Sequence, residues 1–144
     1  MKTERANELL EKWVGILGLQ DWQIKLACDV LPCDMQLQDC DGETEWTECR
    51  KTARIQILDE KCYGERIVPY NFERILIHEL LHLKLSLLGE SGNDLQDRYV
   101  HQLIDDLARA FCEAAQKGGD EEAVKDATDV ARAEAAMKGG KDHA

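Results

Sequence analysis

A chain of 144 residues is long enough to bury a real core without staples and leaves no room for a second catalytic domain. Its formal net charge of -11 and pI near 4.8 describe a surface that repels nucleic-acid phosphates and anionic membranes, so neither is an expected partner. The opening MKTERANELLEKW has no apolar h-region or small-residue cleavage site, and the longest apolar run is too short and too interrupted to span a bilayer, so a cytoplasmic protein is expected.

In chain order, Ala6, Leu9, Leu10, Trp13, Ile16 and Leu17 share one stripe of an amphipathic helix predicted over 3–17 and stopped by Gly18. Trp22, Ile24, Leu26, Cys28 and Val30 alternate with mostly polar residues, the period-2 pattern of a half-buried strand ending at Leu31-Pro32. After a polar loop, 34–42, two more strands are predicted at 44–50 and 52–58. Pro69 precedes a long helix predicted over 70–88, with Gly89 to Gly92 as its stop. Asn93 or Asp94 then caps a further helix running to about Gln116. The fold class is therefore α+β, with a working domain over 1–117. Residues 118–144, opened by Gly118-Gly119, form an acidic Ala-rich tail, helical or disordered.

Six cysteines, at 28, 33, 40, 49, 62 and 112, are expected to be thiols in a reducing compartment. No CxxC occurs, and their spacings fit no zinc knuckle or ribbon; Cys33 and Cys40 flank the polar loop and are the pair to watch.

The chemistry concentrates in IHELLHL, residues 77–83. On a helix His78 and His82 lie one turn apart on one face and can present imidazole nitrogens to one ion. Glu79 is rotated by about 100° from His78, beside the ion but off the ligand line, where a carboxylate can act as general base. Most other positions of this helix are apolar, which implies burial, and buried imidazoles and carboxylates are costly without a partner. A catalytic zinc needs a third protein ligand. His101, on the next helix, is the first choice, because a short loop would return that helix antiparallel against the first. Asp105, one turn after His101, has the position to accept the other ring N–H of a ligand histidine, with His78 as the expected partner. Glu73, Glu90 and Asp94 are the alternative ligands, and His143 lies in the tail.

HELLH followed by H-Q-L-I-D on the next helix resembles the gluzincins, the thermolysin-like zinc metallopeptidases, with His101 standing where that branch has Glu. Together with LGLQDWQIKL, ARIQIL and LARAF, it resembles compact phage and prophage members related to the minigluzincins. The SprT-like proteases, which use three histidines, are also similar. The resemblance implies a minimal zincin-like fold of N-terminal helix, three-stranded sheet, active-site helix and backing ligand helix. It also implies one zinc per chain, a peptide or protein substrate, and a host-cytoplasm location for a phage-encoded protein. ARIQIL is, by resemblance, the sheet edge that would take substrate as an added strand. Tyr63, Tyr70, Tyr99 and Arg98 are unranked candidates for an additional oxyanion stabiliser.

The leading expectation is peptide-bond hydrolysis with His78, His82 and His101 on zinc and Glu79 as base. One alternative is a non-catalytic, zinc-stabilised interaction protein, against which Glu79 itself argues. Another is an acidic nucleic-acid mimic, which the spread of charge does not favour.

Overall fold

A computed structural model describes residues 1–88 and 91–139. Among them the order is α1 (Thr3–Leu17), β1 (Gln23–Val30), β2 (Gly42–Thr47), β3 (Thr52–Leu58), α2 (Glu60–Tyr63), α3 (Phe72–Lys84) and α4 (Asp94–Gly139), with 3-10 turns at Pro32–Asp34, Glu48–Arg50 and Ser86–Leu88. The fold is α+β with a small mixed sheet. The chain divides into two compact units, Met1–Phe111 and Cys112–Ala144. No helix among the described residues is long and apolar enough to cross a membrane.

α1 ends as its sequence predicts: Gly18 takes a left-handed conformation (φ 68°), which glycine adopts without steric cost, and closes the last turn onto Val14 and Gly15 carbonyls. Ala6, Leu9 and Trp13 are its buried stripe.

Strand order is β1-β3-β2, with β1 parallel and β2 antiparallel to β3. β3 is thus the central strand, and its paired position explains why Gln56 and Leu58 are buried as well as Ala53, Ile55 and Ile57. This corrects the expectation that ARIQIL is the substrate-binding edge: both of its ladders are already filled, and β2 is the edge strand that packs beside α3. β2 is also displaced from its predicted span, starting at Gly42 and giving way after Thr47 to a 3-10 turn closed by Lys51 (φ 49°).

α3 starts later and stops earlier than predicted. Asn71 is its N-cap, its side chain accepting the Arg74 backbone N–H at 3.0 Å. Leu85 leaves the helix while its own N–H still reaches the Leu81 carbonyl, and a 3-10 turn follows. Phe72, Ile75, Leu76, Ile77, Leu80, Leu81 and Leu83 are buried, so α3 is the core helix that its composition requires. Asn93, and not Asp94, caps α4, accepting N–H groups from Leu95 and Gln96. The short α2, capped by Asp59, has too few residues to show periodicity.

Helix α4 runs past Gln116 and through Gly118-Gly119 to Gly139, so the glycine pair does not end it. A helical glycine costs about 1 kcal/mol relative to alanine, and the Ala-, Glu- and Lys-rich flanks carry the helix across. The predicted stop at Gly89 to Gly92 falls in part on residues 89 and 90, outside the described residues, as does His143.

Candidate metal centre

Three elements converge on one cleft of about 820 Å³ within the first unit: α3, the start of α4, and β2 with the loop before it. His78 and His82, one turn apart on α3, bring their Nε2 atoms within 3.1 Å. His101 joins them from α4, its ring centroid 5.1 Å from that of His78 and 5.6 Å from that of His82. One ligand atom from each of the three lies within 4.8 Å of the others. This is the trio the sequence nominates, and among the described residues it is the one group of histidine, cysteine and carboxylate side chains so arranged.

The donor set fits zinc. Tetrahedral ligands with Zn–N distances near 2.0–2.1 Å have donor atoms about 3.3 Å apart, close to the observed Nε2 separation. Asp105 accepts from His78 Nδ1 at 2.8 Å, so the ring carries its proton on Nδ1 and keeps the Nε2 lone pair for a metal. The predicted partnership of Asp105 with His78 is therefore found. Burial is the largest cause depressing the His78 pKa, against the pull of Asp105. Burial and the neighbouring imidazoles lower His82 to about 4. Both shifts favour the neutral imidazole, the form a metal requires.

Glu79 is 5% exposed and lies on the sheet side of α3. Burial pushes its carboxyl up to about 7, opposed by a hydrogen bond from Thr44 Oγ1 to Oε2 at 2.5 Å. Gly42 floors the other oxygen: a Cβ there would sit 2.8 Å from Oε1 and 2.9 Å from Cγ. The β2 backbone thus approaches Glu79 at a position where no side chain fits. Neither Gly42 nor Thr44 carries a local signal, because the contacts are made across 35 or more positions of chain.

The loop between Met35 and Asp41 forms one wall, held by buried Glu43, whose carboxylate accepts the Gln36 and Leu37 N–H groups at 2.9–3.1 Å. Arg74 lines the cleft from α3, one turn before His78, and its buried Nε has no hydrogen-bond partner among the described residues. The sequence signal for it is the spacing R-x-x-x-H-x-x-x-H, which sets Arg74 on the same helix face as the two histidines.

The chain matches no protein-family model, no curated protein and no solved structure.

The alternative third ligands separate cleanly. Glu73 faces α1, accepting from Trp13 Nε1 at 2.7 Å and Lys12 Nζ at 2.9 Å. Asp94 is outside the histidine group, and Glu90 lies outside the described residues. None of the four oxyanion candidates lines the cleft. Tyr63 and Tyr70 donate to the Val68 and Leu58 carbonyls, and Tyr99 is exposed. None of the six cysteines forms a disulfide.

Proposed function

We propose that this chain is a zinc-dependent metallopeptidase of a compact, gluzincin-like kind, in which His78, His82 and His101 would hold the metal and Glu79 is the general base. The observation that carries the reading is the convergence of three imidazoles beside a buried glutamate that no metal-binding role would by itself require. When bound, zinc would supply Lewis acidity, lowering the pKa of a water molecule toward 7 and polarising the scissile carbonyl.

The chain's own residues supply the rest. Glu79, held through Oε2 by Thr44, takes a proton from the attacking water and returns it to the leaving amine. Asp105 fixes the tautomer of His78. The open edge of β2, with half-exposed Trp46 on it, offers backbone groups to an extended peptide lying beside α3.

The experiment is elemental analysis of purified protein, followed by a peptide-library screen of the zinc-loaded form. About one zinc per chain, weakened in His101→Ala, with cleavage lost in Glu79→Gln and zinc retained, is the expected result. Full activity in Glu79→Gln would overturn the assignment of the base. Zinc binding without cleavage of any peptide would favour the zinc-stabilised interaction protein.

A further inference from the structure

The carboxylates around the cleft are nearly all committed. Asp41 pairs with Arg66 Nη1 at 2.6 Å, Glu43 holds the loop backbone, and Glu79 is held by Thr44. Asp105 holds His78, and Asp97 accepts from Ser91. Arg74 stands among them without an ion pair among the described residues. Its chain neighbour Glu73 is turned away to Trp13 and Lys12, and Asn71 is engaged with its backbone N–H. Its Nε is buried out of a ligand's reach, so what Arg74 offers the cleft is the outer Nη end of a half-buried guanidinium, a positive charge that burial makes costly to leave without a counter-charge. It is nonetheless kept in a protein of net charge -11, where carboxylates are the abundant group and a pairing partner would be easy to supply.

The position is informative. Arg74, His78 and His82 share one stripe of α3, and four residues at about 1.5 Å each put Arg74 about 6 Å along the axis from His78. That is roughly the length of two residues of extended peptide. A planar guanidinium offers a bidentate fork to a carboxylate, a geometry that a lysine cannot reproduce.

We infer that Arg74 is a specificity-determining residue that binds a carboxylate of the substrate one to two residues from the cleaved bond. This rests on the peptidase reading. The carboxylate belongs either to an acidic side chain or to the free C-terminus of the peptide, and the two sources are separable. Because Arg74 is held by the same helix as His78 and His82, its distance from the metal ligands is fixed, and the anchored carboxylate sets which bond is presented to Glu79.

The test measures binding apart from cleavage. Zinc-loaded Glu79→Gln protein is titrated calorimetrically with N-blocked alanine peptides in four forms: free C-terminal carboxylate, C-terminal amide, amide carrying a single Glu, and amide carrying a single Gln. Arg74 should favour one acidic form over its neutral counterpart by about 10- to 100-fold, the range for hydrogen bonds to charged groups. Preference for the free carboxylate identifies the C-terminus, and preference for Glu over Gln the side chain. Adding Arg74→Gln should bring the ratio to about one, and Arg74→Lys should restore part of it, which also guards against a variant that fails to fold. Equal binding of acidic and neutral peptides overturns the proposal, as does a preference that survives Arg74→Gln. Failure of the peptidase reading shows separately, as absence of zinc or of cleavage by the wild-type protein.

Discussion

Gly42→Ala tests the closeness of β2 to α3 more directly than any change at the histidines. The added Cβ would lie 2.8 Å from Glu79 Oε1, 2.9 Å from Glu79 Cγ and 3.0 Å from Ile75 Cγ2, all well inside van der Waals contact. Gly42 has no positive φ, so alanine can adopt its backbone and the cost is steric alone. Glu79 cannot swing aside cheaply, because it is buried and tied to Thr44; Ile75 is equally enclosed. Overpacking of this kind costs about 1–3 kcal/mol. With a urea m-value of about 1–3 kcal/mol/M, the unfolding midpoint should fall by roughly 1 M. Gly15→Ala is the control of opposite sign: it lies inside α1 with nothing within 4 Å of its Cβ position, so it should stabilise by up to about 1 kcal/mol. Equilibrium urea unfolding of the three proteins decides the matter. A Gly42→Ala midpoint equal to wild type would refute the close approach of β2 to the general base.

Thr44→Val removes the one hydrogen bond that lowers the Glu79 pKa, so the acidic limb of the kcat/KM profile should move to higher pH; a limb that stays or moves down refutes the role given to Thr44. In Asp105→Asn the zinc affinity should fall about 10- to 100-fold, read by competition with a chromophoric chelator, and unchanged affinity would remove Asp105 from the support of His78. In metal-free protein Glu79 is raised from 4.5 to about 7, so the folded state binds the extra proton between those values. Its stabilising contribution is full below pH 4.5 and is lost as pH rises through 7. Relative to wild type, Glu79→Gln should therefore gain roughly 3 kcal/mol between pH 4.5 and pH 8. The lowered pKa of His82 acts in the opposite direction but is common to both proteins; parallel stability curves would show that burial does not perturb Glu79.

Local pattern carried much of this protein. The Gly18 stop, the span of β3 and the cluster of His78, Glu79 and His82 all follow from periodicity and end signals, because a helix of fixed pitch places residues four apart on one face whatever surrounds it. His101 and Asp105 needed one further assumption, that a short connection folds the next helix back. The sheet order was not legible: β1, β2 and β3 each read as strands, and only the ladders decide that β3 is central and β2 lies at the edge beside α3. The glycine pair in α4 misled because a propensity is a small energy that neighbouring helix formers can outweigh.

Local pattern alone, then, fixes the spacing of the chemistry along each helix. Packing of the whole chain is what sets which strand lies beside Glu79, how Gly42 and Thr44 frame its two oxygens, and that Arg74 faces the cleft with no ion pair among the described residues. Those facts depend on the meeting of segments distant in the chain, and such meetings are set by how the whole core packs.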